Sequence, residues 1–308
     1  MADDRLTPAT GGLGITGYPP RLVVTQRVMS LEGLRAAIKE RGESGRFAFR
    51  GYYVPVKDDR DAPRALITGL ERACKAVDDG TPAAAREVAI VREFMRRAHH
   101  YLPDVPRDDN WLEWLALMQH HGAPTRLLDW TYSPSVAVHF ALSHAARQPD
   151  ADLAVWLVNT KWCAEASAAV CADARILVPT LSAPALRRDT EADASRELLV
   201  SPLPPCVWPI NPFRLNERLT VQQGLFLAPG NVSCSFFENL KALDGYDNSA
   251  NLSHFQIPSS KRDDLVQELK ETNVTDATLF PDLDGFAKSL WTSMRFLDVT
   301  NLRDFRDL

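Results

Sequence analysis

Residues 119–141 read QHHGAPTRLLDWTYSPSVAVHFA. One helix ends there, a strand crosses and a second helix begins, so the stretch belongs to a domain that mixes helices with a sheet. Gly122 suits the C′ position of a helix that starts after Asn110 and runs through Trp111, Leu115 and Met118. Thr125–Trp130 reads as the strand. Ser133 and Pro134 form an N-cap and first-turn pair, and Val136, Ala137, Phe140 and Ala141 share the inward side of the helix that follows. The polar residues are denser than such a crossing needs. A surface loop accounts for His120 and His121 but not for Arg126 and Asp129 inside the strand pattern; an internal salt bridge between those two is one reading, direct chemistry the other.

Upstream, Leu22–Thr25 could be a short strand, and Ser30 caps a helix carrying Leu31, Leu34 and Ile38 that ends near Gly42. Residues 46–53, RFAFRGYY, alternate as a strand, with Phe47 and Phe49 on one face and Ala48, Arg50 and Tyr52 on the other. An inward arginine needs a carboxylate or another anion in its fork. Glu87, Glu93 or Asp129 could supply it from within, or a ligand from outside. Gly51 beside it removes a side chain and would let a ligand approach the backbone. Three helices fill the interval to residue 122. The first starts near Asp61–Pro63 with Leu66, Leu70 and Cys74 inward, the second at Thr81 and Pro82 with Val88, Val91 and Met95, and the third after Asn110.

Downstream, residues 152–158 (DLAVWLV) are the clearest buried strand, while residues 160–205, rich in Ala, Ser and Pro, give no periodic signal. Leu219–Ala228 reads as a strand carrying Gln222, Gln223 and a bulge at Gly224, and Phe255–Ile257 as a short one. Helices near 259–271 and 281–296 close the chain. Residues 1–28 read as a tail and lead-in, 29–300 as a single domain and 301–308 as a C-terminal tail.

The net charge of −5 argues against a general basic surface for nucleic acid. Five scattered cysteines without a C-x-x-C pair argue against a disulfide framework or a zinc site and for a reducing, cytoplasmic setting. No apolar stretch approaches bilayer length, so no membrane role is expected. The G-L-G-I-T-G of residues 12–17 matches a dinucleotide fingerprint by letter only, because Tyr18-Pro19-Pro20 cannot open the required helix. The histidine doublets 99–100 and 120–121, and His139 with His144, miss the spacing of helical metal ligands, so no metal is expected. Neither a G-x-S-x-G elbow nor a Walker loop is present.

With Phe49-Arg50-Gly51, the stretch 119–141, NERLTVQQGLF at 216–226 and ATLFPDLDGFAKSL at 277–290, the chain resembles the FRG-domain family over roughly residues 30–296. More distantly, strand with Arg, helices, strand and then Ser-Pro-x-Val-Ala is similar to the ADP-ribosyltransferases of the arginine–serine–glutamate type. That likeness implies an α+β fold with a small mixed β-sheet core and a helical insertion after the first core strand. It implies NAD as co-substrate, held at its phosphates and nicotinamide-side ribose by Arg50. The Ser-Thr-Ser strand would fall on Asp129-Trp130-Thr131, keeping only Thr131, and the catalytic Glu would fall near Gln222 or Gln223.

Cleaving the nicotinamide–ribose bond develops oxocarbenium-like charge, which a carboxylate stabilises and a glutamine does not. Asp129 is the candidate replacement and Glu217 the alternative. The resulting expectation is an NAD-dependent ADP-ribosyltransferase, with Arg50, Asp129 and Gln223 catalytic. Gly51, Tyr52, His121, Thr125, Thr131 and Gln222 join Arg50 in binding the co-substrate. His121 could meet a ribose hydroxyl or serve as acid–base, or simply face the helix dipole. The acceptor would be a protein or nucleic acid, the role that of a toxin or phage-defence effector, and an antitoxin or regulatory partner would accompany it. The competing expectation is a non-catalytic module that senses a nucleotide or NAD derivative through the same pocket, or else an interaction domain with no ligand.

Overall fold

The computed structural model describes residues 25–42, 47–54, 65–182, 190–199, 203–213 and 217–293. Among these, seven strands form one mixed sheet: β1 (Thr25–Arg27), β2 (Phe47–Val54), β3 (Leu128–Thr131), β4 (Asp152–Asn159), β5 (Val207–Ile210), β6 (Gly224–Pro229) and β7 (Leu252–Ile257). Their order is β1-β7-β4-β2-β3-β6-β5, with β1 and β7 parallel and the other neighbours antiparallel. The fold is α+β with a mixed sheet, as expected, though the sheet is wider than the small core anticipated. Of the strand expected at Leu22–Thr25, only Thr25 is described, and it opens β1.

Both faces of the sheet are covered, which is why β4 reads as a continuous apolar run, buried from Leu153 to Val158. On one face α1 (Leu31–Lys39), α5 (Pro134–His144) and α10 (Arg262–Glu271) pack Leu34, Ala137, Ala141 and Leu265 against Phe49, Val155 and Phe255. On the other, Ala48, Trp130 and Trp156 meet α3 (Ala83–Ala98), α4 (Trp111–His120), α6 (Thr160–Asp173) and α7 (Glu191–Leu199). The alternation read in residues 46–53 therefore sets Phe49 and Ala48 in different cores.

The helical insertion after β2 consists of α2 (Gly69–Val77), α3 and α4. Thr68 caps α2, so that helix begins later than the expected Asp61–Pro63, of which residues 61–64 lie outside the described residues. Pro82 rather than Thr81 takes the N-cap position of α3, without a side-chain cap. Asn110 caps α4, and Gly122 closes it at φ +77° while the Ala123 amide donates to the Met118 carbonyl at 2.9 Å. Ser133 caps α5 through the Val136 amide.

One strand assignment is overturned. Leu219–Val221 belongs to a single helical turn, α8 (Glu217–Val221), and β6 starts only at Gly224. The Gln222 and Gln223 amides continue the turn onto the Arg218 and Thr220 carbonyls, and Gln223 reverses the chain at φ +49°. Leu-Thr-Val satisfies a strand pattern locally, but a short apolar run does not fix its own secondary structure. Packing decides it: Gly224 is not a bulge but the space into which Leu219 folds back, since a Cβ there would lie 2.3 Å from Leu219 Cδ1. The expected α12 (Leu283–Ser293) is present, preceded by α11 (Asp276–Leu279), and α9 (Phe236–Lys241) follows β6.

Candidate functional site

β2 pairs with β4 along its whole length, from Phe47↔Asn159 to Val54↔Asp152, yet with β3 only at Phe49↔Thr131. Continuing that register would set Gly51 opposite Asp129, but the two strands part there. Arg50 fills the start of the gap. Its Nη1 donates to the Asp129 carbonyl at 2.6 Å, replacing a bond of the missing ladder, and its Nε donates to the Ala65 carbonyl at 2.6 Å. Protein surrounds Arg50 closely, and burial presses its pKa below the usual guanidinium value while Asp129 opposes that shift. The residue is nonetheless only half-buried, as befits a group on the floor of an open cleft. A guanidinium stays protonated in either case.

The internal partners expected for Arg50 are engaged elsewhere. Glu87 is buried against Arg126, accepting from its Nε at 2.8 and 3.0 Å and from its Nη2. Arg126 Nη1 adds the Leu198 and Pro229 carbonyls. The Arg126–Asp129 salt bridge considered from sequence is thus replaced by Arg126–Glu87, which leaves Asp129 exposed at the cleft. Its Oδ2 accepts from Gln119 Nε2 at 2.9 Å, and Gln119 Oε1 accepts from the buried Thr125 hydroxyl at 2.6 Å. Gln119 lies within the polar run read from sequence, but only the tertiary fold shows that it orients Asp129.

The other expected residues divide. Tyr52 stands at the cleft, stacked on Tyr53 with centroids 4.8 Å apart and packed against His144 at 5.2 Å. Gly51 faces the α5 backbone instead of open space: a Cβ there would lie 1.7 Å from the Ala137 carbonyl oxygen. Its lack of a side chain therefore serves helix packing, which removes the reason for assigning it to a ligand. Thr131 is buried, donating to the Gln222 carbonyl at 2.6 Å and accepting from the Ser133 amide at 3.0 Å. Gln222 is buried too, its Nε2 donating to the Leu279 carbonyl at 3.0 Å. Gln223 is exposed in the turn before β6, and its carbonyl accepts from the Tyr132 amide. His121 is exposed at the α4 C-cap, edge-on to His120 at 4.9 Å; burial, then His121 and Arg218, lower the pKa of His120. Glu217, the alternative carboxylate, begins α8.

Two basic side chains near Arg50 were not singled out from sequence. Arg72 on α2 donates from Nη1 to the Ile67 carbonyl at 2.7 Å, two residues from the carbonyl that Arg50 holds. His144, the last residue of α5, faces the Gly51 and Phe140 carbonyls. Nothing in local sequence marks either one, because each looks like an ordinary polar residue on a helix. Among the described residues no group of three His, Cys, Asp or Glu could hold a metal ion, and no helix is long and apolar enough to cross a membrane. The five cysteines are free, and burial raises the thiol pKa of Cys163, Cys171 and Cys206. A separate groove of about 280 Å³ along the end of α6, lined by Ala168, Ile176, Val178 and neighbours, carries no titratable side chain.

No curated protein and no solved structure matches the chain. Residues 46–150 match the model of the FRG domain, a span that contains β2, the helical insertion, β3 and α5, and with them Arg50, Arg72, Gln119, Asp129 and His144. The cleft thus lies largely within the matched segment, and the chain carries an FRG domain over residues 46–150.

Proposed function

We propose that the gap between β2 and β3 binds NAD and that the chain cleaves its nicotinamide–ribose bond, in the manner of an ADP-ribosyltransferase. The observation that carries this reading is Arg50. Its guanidinium is fixed by two neutral carbonyls, has no carboxylate within 4.0 Å among the described residues, and keeps Nη2 free at a half-open cleft. A positioned cation with spare donors and no internal counter-charge suits a pyrophosphate.

Asp129 would then stand beside the ribose. As the C1′–N bond breaks, nicotinamide leaves with the electron pair and positive charge grows on the ribose, where the carboxylate stabilises it. An acceptor nucleophile on a protein or nucleic acid then bonds to C1′ and releases its proton. Gln119 would position the carboxylate. Such chemistry suits a toxin or phage-defence effector restrained by a partner.

Nicotinamide release from NAD, with and without cell extract, tests the reading. Arg50→Lys and Asp129→Asn, each checked for native melting behaviour, should lower release by about two orders of magnitude. Unchanged release in Asp129→Asn would remove that carboxylate from the mechanism. A second reading, a nucleotide-sensing module, is favoured by Gln222 and Gln223 standing where the resemblance calls for a glutamate. Thermal stabilisation by NAD with no nicotinamide released would establish it.

A further inference from the structure

Arg50 and Arg72 hold one short backbone segment through the Ala65 and Ile67 carbonyls. His144 reaches the same place from α5, its ring against Tyr52 and facing the carbonyl of Gly51, the residue next to Arg50. Three cationic or potentially cationic groups thus converge from β2, α2 and α5. Among the described residues the nearby charges offset them only in part. Asp129 on β3 is held by Gln119 and influences Arg50. Asp152 on β4 accepts from Gln256 Nε2 and the Ser259 amide, and Arg262 on α10 donates to the Ala145, Gln148 and Ala151 carbonyls. Arg41, just past α1, is bound to Ser253, Gln26 and the Ala37 carbonyl, and Arg35 on α1 donates to the Ser135 hydroxyl on α5.

Two fixed guanidiniums beside an imidazole that has no carboxylate partner among the described residues form an unbalanced site. We propose that His144 is the third cation of an anion site completed by Arg50 and Arg72: a dianion seated there draws one proton from solvent onto His144, so binding tightens as the solution becomes more acidic. The inference rests on the anion-binding half of the proposed function and not on cleavage. Burial, then the Arg50 charge, hold the free imidazole below its ordinary value, so without ligand His144 is neutral at physiological pH. A bound dianion reverses the local field and raises that value. Between the free and bound values, affinity changes by up to about tenfold per pH unit.

The probes are sulfate and NAD, whose anionic groups do not titrate between about pH 5 and 8. The His144 ring resonances are titrated with saturating sulfate or with chloride of matched ionic strength, and NAD binding is measured calorimetrically across that range in two buffers of unlike ionisation enthalpy. Sulfate should raise the His144 titration point, and NAD should bind several-fold more tightly at the acid end with net proton uptake. His144→Gln should bind with a flat pH profile, and Arg72→Gln should weaken both probes by about tenfold. NAD binding without proton uptake, or with the same pH slope in His144→Gln, overturns the proposal while leaving the NAD reading intact. A sulfate-induced shift with no NAD binding sustains it and removes NAD. No effect of either anion overturns both.

Discussion

Arg126 is buried and Arg50 half-buried, and the two are held by partners of opposite kind. Arg126 has a buried carboxylate in its fork and two carbonyls on its remaining nitrogen, so its hydrogen-bonding capacity is largely used inside the fold. Among the described residues Arg50 has carbonyls alone and donors to spare. A buried ion pair leaves an uncompensated charge when one member is lost, at about 3–5 kcal/mol, whereas replacing both by apolar residues costs much less. Glu87→Leu and Arg126→Met are each expected to destabilise by that amount, and the double variant by less than either. A urea-unfolding cycle measures this, and additive losses would show that the two side chains are not energetically coupled.

The contact between α5 and β2 sets the cleft's geometry at the next level of organisation. Helix and strand approach so closely at Gly51 that any side chain would enter the Ala137 backbone. Gly51→Ala must therefore push α5 away from β2 and is expected to cost about 3 kcal/mol or more. It should also displace His144 at the far end of the same helix. Gly224 is similarly crowded, but its nearest obstacle is the end of the Leu219 side chain, which can change rotamer. Gly224→Ala is expected to cost only about 1 kcal/mol. Thermal denaturation of the two variants compares them directly, and equal losses would contradict the distinction between backbone and side-chain obstruction.

Across the molecule, the sheet's two covered faces enclose the imidazoles of His139 and His254, whereas His144 is exposed at the end of α5. His254 on β7 is buried against Trp156, its Nδ1 3.1 Å from the Thr25 hydroxyl, and burial lowers its pKa to about 4. Burial also lowers His139. For each of these groups the unfolded chain takes up its proton first, so stability is fully present above the unfolded value near 6.5 and is lost as pH falls through the folded value. For His254 that loss amounts to roughly 3 kcal/mol, complete near pH 4. Chemical denaturation at successive pH values should show this acid limb, and His254→Gln should flatten it. An unchanged limb would place the acid sensitivity elsewhere.

Elements whose signals are local were legible in the sequence. Ser30, Asn110 and Ser133 mark helix starts because a cap acts over three residues, and Gly122 marks an end because it supplies the left-handed turn. The alternation through Phe49 and Arg50 likewise fixed which side chains share a face, and the polar run contained Asp129 and Thr125. What only the tertiary structure decided were partners distant along the chain: Glu87 for Arg126, Gln119 for Asp129, and Arg72 with His144 beside Arg50. It also turned Leu219–Val221 into a helix and Gly51 into a packing contact. The physical reason is the same in each case. Caps and periodicity are carried by neighbours in sequence, whereas the occupant of the space beside a glycine or the counter-charge of an arginine is settled only when separate elements meet.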